Sequence, residues 1–201
     1  MNIEQIDKAT AHLKKEGVVL HATETCFGFT CDISNPAAVA KLFTLKQRDN
    51  CKPVSALFHN VDSAKQYVQW NETAEQLALK HLPGALTIIL PLRTDAPCQL
   101  YSTPGGGDTI GVRISSHPTA KALAAHFSQP LVTTSANIAG QPCCFRIEDV
   151  LKQFEEQTTS QYTNLPFFVF KDPPLENTLP STVVDCTNNK MTIVRKGVIE
   201  L

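Results

Sequence analysis

A chain of 201 residues can bury one sizeable core and not readily two, and 42% apolar against 18% charged residues is a globular rather than a disordered composition. A formal net charge of −1 argues against a protein whose main task is wrapping long nucleic acid, which draws on a strong excess of Lys and Arg. A local basic patch is not excluded.

Residues 1–16 intersperse charges with Ile3, Ile6, Ala9 and Leu13 at the spacing of one helix face, unlike a signal peptide, and that helix ends near Gly17. Apolar runs such as Leu86–Pro91 are far too short to span a membrane, so a soluble, cytoplasmic protein is expected. Val18–Ala22 reads as a short buried strand. Ser34-Asn35-Pro36 starts a helix that carries Val39, Leu42 and Phe43 on one face towards Lys46. Pro53–Phe58 reads as a strand, Glu72–His81 as a helix stopped by Leu82-Pro83-Gly84, and Ala85–Leu92 as a strand. Gln99–Asp108 is turn-rich. A strand at Thr109–Ile114, a helix at Pro118–Phe127, a strand at Leu131–Thr134 and a helix over residues 146–157 follow.

Phe167–Phe170, Thr182–Cys186 and Thr192–Arg195 close the series as short strands, with Asn188-Asn189 as the turn between the last two. Lys171–Pro180, polar and proline-rich, is the one stretch that reads as a flexible loop. Helices alternating with strands early and hairpins late predict a single α/β domain over 1–201 with a mixed parallel and antiparallel sheet. Seven cysteines without a C-x-x-C pair fit neither a disulfide framework nor a zinc site, and no metal site is expected.

Common nucleotide and hydrolase motifs are missing. Gly105–Gly107 is not followed by Gly-Lys-Ser/Thr, and there is no G-x-G-x-x-G after the first strand, no H-E-x-x-H and no G-x-S-x-G. Polar residues instead crowd the ends of predicted strands, where open α/β sheets place their ligands. They fall in His21-Ala22-Thr23-Glu24-Thr25-Cys26-Phe27-Gly28-Phe29, Lys46-Gln47-Arg48 with Lys52, Thr109–Arg113, Thr133–Gly140, and Pro180–Asp185 with Arg195-Lys196-Gly197. Each has a structural explanation when taken alone. Lys46 and Arg48 suit a helix C-terminus, Ser135 and Asn137 suit a turn cap, and Thr23 and Thr25 suit a strand. Arg113 within an apolar strand is less easily explained, because a buried guanidinium needs an anionic partner.

Taken in order, T-E-T-x-[aromatic]-G, K-x-R, G-V-R, S-A-N-x-x-G and S-T-V-V-D with R-x-G resemble the YrdC-like family, from residue 17 to residue 199, and most of all its short, TsaC-type members. The resemblance implies one twisted α/β domain around a deep basic cavity. It implies a nucleotidyltransferase that forms threonylcarbamoyl-AMP and pyrophosphate from L-threonine, bicarbonate and ATP, for modification of tRNA beside the anticodon. Lys46, Arg48, Ser135 and Asn137 would be catalytic, and Thr25, Arg113 and Ser181 would hold L-threonine. ATP would meet Lys46, Arg48, Lys52, Thr109, Thr133, Ser135, Asn137, Cys143 and Arg195, with Mg²⁺ on its phosphates.

The physics suits that set. Two anions must meet, so fixed cations are needed, and both the carbamate and the mixed anhydride decompose in water. Lys46 and Arg48 are therefore expected to be exposed inside the cavity, with Lys171–Pro180 as its lid and the cysteines as bystanders. The family also implies contact with a tRNA-modifying transferase complex and leaves direct tRNA binding open. Departures are Ala22 for a usual proline after His21, Phe27 for a tyrosine, Cys143 for a hydroxyl residue, and Leu57 where longer relatives carry a threonine-facing histidine. An RNA-binding or ribosome-associated factor without synthase activity is the alternative reading. A carbamoyl-transfer module would need acylphosphatase and zinc-finger segments, and neither is in the sequence.

Overall fold

The computed structural model describes residues 3–154, 165–188 and 190–201. Helix α1 spans Ile3–Leu13, and β1 (Val19–Ala22) turns through Thr23–Cys26 into β2 (Phe27–Thr30). Helix α2 (Pro36–Leu45) starts where Asn35 accepts hydrogen bonds from the Ala37 and Ala38 N–H groups, at 2.9 and 3.2 Å, with proline in the first turn. Then come β3 (Ser55–Leu57), α3 (Val61–Lys65), α4 (Glu72–His81), β4 (Leu86–Pro91), β5 (Thr109–Arg113), α5 (Pro118–Phe127) and β6 (Leu131–Ser135). Helix α6 (Ile147–Gln153) precedes β7 (Phe168–Val169), β8 (Thr182–Asp185) and β9 (Thr192–Arg195). Residues 155–157 of the predicted sixth helix, and Asn189 of the predicted last turn, lie outside the described residues.

Among the described residues nine strands form one mixed sheet in the order β7-β1-β2-β6-β3-β5-β4-β8-β9. Pairs β1–β7, β3–β5 and β4–β8 are parallel, and the others are antiparallel. The expected early alternation of helix and strand is thus broken by the β1–β2 hairpin, and β7 pairs with β1 rather than with a neighbour in sequence. Helices α1 and α5 cover part of the sheet through Ile6, Leu13, Leu123 and Phe127, in one cluster with Leu57 of β3. A larger cluster holds Phe27, Phe29, Val39, Leu42, Phe43, Leu86, Ile88 and Val112. Among the described residues no helix is long and apolar enough to cross a membrane.

Two elements escaped the sequence reading. Strand β2 is wholly buried, so Phe27-Gly28-Phe29-Thr30 shows no alternation of apolar and polar faces. Helix α3 has five residues, too few for a helical period, and is set by the reciprocal cap between Asn60 and Ser63. Lys171–Pro180, expected as a free loop, is without helix or strand but is fastened. Asp172 accepts from the Ala22 N–H at 2.9 Å and from the Thr119 hydroxyl at 2.5 Å, and the Leu175 N–H donates to the Phe145 carbonyl at 2.8 Å.

Candidate active site

A cavity of about 340 Å³ opens over the middle of the sheet, where the β1–β2 turn, the end of β6, strand β5 and the start of β8 converge. Nine of the twelve residues singled out in the sequence line it: Thr25, Arg48, Thr109, Arg113, Thr133, Ser135, Cys143, Ser181 and Arg195. Thr23, Ser55, Thr87 and Thr134 add further hydroxyl groups, and no carboxylate lines it among the described residues. Three guanidinium groups and a ring of hydroxyls make a surface suited to anions.

The wall is built from hydrogen bonds in which each segment fixes another. In the β1–β2 turn the Thr23 hydroxyl donates to the Cys26 carbonyl at 2.8 Å, receives the Thr25 and Cys26 N–H groups at 3.2 Å, and lies 3.0 Å from the Thr25 hydroxyl. Thr23 and Thr25 thus serve a tight turn and not a strand. Arg113, buried at the end of β5, donates to the Glu24 carboxylate and, at 3.4 Å, to the Thr87 hydroxyl. Glu24 also accepts from Ser115. The Thr87 and Ser181 hydroxyls are 3.2 Å apart, and Arg195 donates to the Ser181 carbonyl at 3.0 Å and hydroxyl at 2.8 Å. One continuous polar chain therefore runs Glu24, Arg113, Thr87, Ser181, Arg195.

Arg48 is held at the cavity mouth by the Lys52 and Pro53 carbonyls, at 3.0 and 2.7 Å. Lys52 itself is exposed and outside the lining; here it offers only its backbone oxygen. Lys46 differs most from expectation, being 1% exposed and not exposed inside the cavity. It sits behind the wall, where its ammonium donates to the carbonyls of Ser135 and, at 2.7 Å, Asn137, and lies 3.3 Å from Asn137 Oδ1. Asn137 is buried with it and receives the Ser135 hydroxyl at 2.5 Å. The cause is local: α2 stops at Leu45, and the capping residue Lys46 reaches under the Ser135–Asn137 turn, where only oxygens await it. Leu57 is packed under α1 and α5, away from the cavity.

Burial, followed by the nearby Arg48 charge, pulls the Lys46 ammonium down to about 7. A neutral amine has two N–H donors for the three oxygens around it, so the geometry asks for the charged form. Burial likewise lowers Arg113, and it lowers Arg195 with help from the Arg113 charge. Burial by itself would raise Glu24, but the Arg113 charge and the Ser115 hydrogen bond outweigh it and hold the carboxyl below its ordinary 4.5. As pH falls the unfolded chain takes up that proton first. The stabilisation is present above 4.5 and is lost as pH falls through the lower folded value. Replacing Glu24 with Gln is expected to destabilise the protein by roughly 3 kcal/mol at pH 7, since it strands a buried guanidinium. It should also flatten the loss of stability as pH falls below 4.5. Urea midpoints at several pH values check this; a variant with the parent's acid slope contradicts it.

Glu24, Thr87 and Ser115 were missed as site residues. Only Glu24 carried a signal, standing inside a motif whose threonines drew the attention. Gly28 and Gly111 keep the floor open. A Cβ on Gly111 would lie 2.4 Å from Ser55 Oγ and 2.9 Å from Thr87 Cγ2, so that strand position admits hydrogen only. Among the described residues there is no group of three or more His, Cys, Asp or Glu side chains that could hold a metal ion.

Comparison with known proteins agrees with this architecture. The chain is 35% identical over 158 residues to a threonylcarbamoyl-AMP synthase of Vibrio cholerae, covering 77% of this chain and 82% of that one. It is 34% identical over 192 residues to the synthase of Pseudoalteromonas translucida, covering 92% and 95%. The crystal structure of P. abyssi Sua5 complexed with L-threonine superposes with a TM-score of 0.85 at 25% identity, over 98% of this chain. The chain spans 55% of that longer protein. Residues 11–197 match the family described as Telomere recombination, and the chain is therefore a member of the Sua5/YciO/YrdC family.

Proposed function

We propose that this protein, acting as one domain, is an L-threonylcarbamoyladenylate synthase. The observation that carries the reading is a cavity lined by Arg48, Arg113 and Arg195 among hydroxyl side chains, with Glu24, the carboxylate paired to Arg113, set outside the lining. The threonylcarbamoyl-AMP synthases to which the chain is similar support it, as does the Sua5 relative that binds L-threonine.

The threonine amine and bicarbonate first give the N-carboxylate and water. A carboxylate oxygen then forms a bond to the α-phosphorus of ATP, and the bond from that phosphorus to the β-phosphate bridging oxygen breaks, releasing pyrophosphate. Two anions converge in this step. Arg48 and Arg195 offset the charge of the phosphates, each already oriented by backbone carbonyls, so little reorganisation is left to the reaction itself. Arg113 faces the threonine α-carboxylate in a two-pronged contact. Thr25 and Ser181 read the threonine hydroxyl, and a pocket built to bond a hydroxyl discriminates against amino acids without one.

Thr109, Thr133, Ser135 and Cys143 line the nucleotide's side of the cavity, while Lys46 and Asn137 act from behind it by fixing the Ser135 turn. Mg²⁺ carried on the ATP phosphates would offset part of their charge as the two anions meet. The product is unstable in water and passes to a transferase that attaches it to tRNA. Pyrophosphate release from ATP and bicarbonate is expected to require L-threonine, with valine inactive and serine poor. Release that is indifferent to the amino acid contradicts the reading.

A further inference from the structure

The synthase chemistry uses no thiol, yet two cysteines lie in the cavity wall. Cys26 comes from the β1–β2 turn and Cys143 from the segment between β6 and α6. The two segments are stitched together by the Phe27 N–H on the Cys144 carbonyl at 2.9 Å and the Ala136 N–H on the Phe27 carbonyl at 2.8 Å. This seam sets Cys26 and Cys143 side by side in the lining of one cavity. Cys26 is buried, whereas Cys143 is half-buried and open to the cavity.

We propose that Cys143 and Cys26 are an oxidisable dithiol in the wall of this cavity, Cys143 as the attacking sulfur and Cys26 as the resolving one, and that its reactant is a small peroxide admitted through the cavity. Geometry supplies the pairing and access, and charge supplies the reactivity. The neighbouring Cys26 thiol comes first in holding the Cys143 thiol below its ordinary range, and Lys46 and Arg195 add their positive charge. The neighbouring Cys143 and burial push the Cys26 thiol up, so it stays protonated. Cys144 is buried and pushed up to about 11, chiefly by burial, and Cys31 and Cys186 are buried and raised as well. A thiolate in a cationic, accessible place beside a protonated partner is the arrangement that oxidises selectively.

The steps balance. The Cys143 thiolate displaces hydroxide from hydrogen peroxide and becomes a sulfenic acid. The Cys26 sulfur then attacks that sulfur, its proton leaves with the hydroxyl as a second water, and a disulfide forms. Two thiols and one peroxide give one disulfide and two waters. A Cys26–Cys143 bond would pull Cys143 away from the nucleotide, a consequence that rests on the proposed function, whereas the bond itself does not.

The test uses the full chain, reduced and then given equimolar hydrogen peroxide near neutral pH, blocked with iodoacetamide and mapped without reduction by fragment-resolved mass spectrometry. A Cys26–Cys143 cross-link is expected, and in C26S a dimedone adduct on Cys143. Without peroxide, iodoacetamide should alkylate Cys143 at least about tenfold faster than Cys144. Oxidation beginning at exposed Cys51 with Cys26 and Cys143 left free, or a Cys143–Cys144 bond in place of the cross-link, overturns the proposal. The map of the unaltered chain decides this even if C26S fails to fold. Repeating the alkylation with ATP present separates the two claims: a cross-link without protection by ATP upholds the dithiol and counts against the nucleotide placement.

Discussion

Lys46→Ala is expected to cost about 3 kcal/mol of folding stability and to lower ATP turnover at least about a hundredfold. Its ammonium is shared by two carbonyls and the side-chain oxygen of the Ser135–Asn137 turn, in a place water does not reach. Removing it takes a donor from the Ser135 and Asn137 carbonyls, leaves Asn137 Oδ1 with the Ser135 hydroxyl alone, and opens a void beneath the cavity wall. The turn would then lose its position, and Ser135 with it. Lys46→Met, which keeps the stem, should restore part of the packing and none of the turnover. Urea unfolding and pyrophosphate release measured on the same preparations check both halves. An alanine variant as stable as the parent yet inactive would contradict the structural role and return Lys46 to direct phosphate contact.

Arg113→Lys is expected to raise the KM for threonine about tenfold or more, with the KM for ATP within about threefold of the parent. The guanidinium spends one nitrogen on Glu24 and another on Thr87, and its planar fork still has donors to present to a carboxylate. Lysine keeps the charge but concentrates it at one atom, so it cannot hold Glu24 and pair with a ligand carboxylate together. Steady-state kinetics with each substrate varied in turn will show the split. Equal rises in both KM values would remove Arg113 from the threonine side.

Much of this arrangement could be read from the chain because it is written in local chemistry. Asn35-Pro36 and the break after His81 mark helix ends by what their side chains and backbone can bond, and α2 and α4 fall where those signals place them. Polar residues at strand ends pointed to the cavity, and nine of the twelve selected meet there. What stayed hidden depends on contacts between distant segments. Whether Lys46 faces solvent or three oxygens is decided by the Ser135–Asn137 turn, which its own neighbours in sequence cannot reveal. Arg113 needed an anion, but its identity as Glu24 required the β1–β2 turn to fold over the end of β5. Cys26 and Cys143 look like unrelated thiols until the seam between Phe27 and Cys144 joins them.

The most direct test of the central claim is the mass of the nucleotide product formed from ATP, L-threonine and ¹³C-bicarbonate. The proposed chemistry predicts an AMP derivative carrying threonine and one labelled carbon, with one pyrophosphate released for each molecule formed. An adenylate of threonine without the label, or ADP and phosphate as the only products, would contradict it.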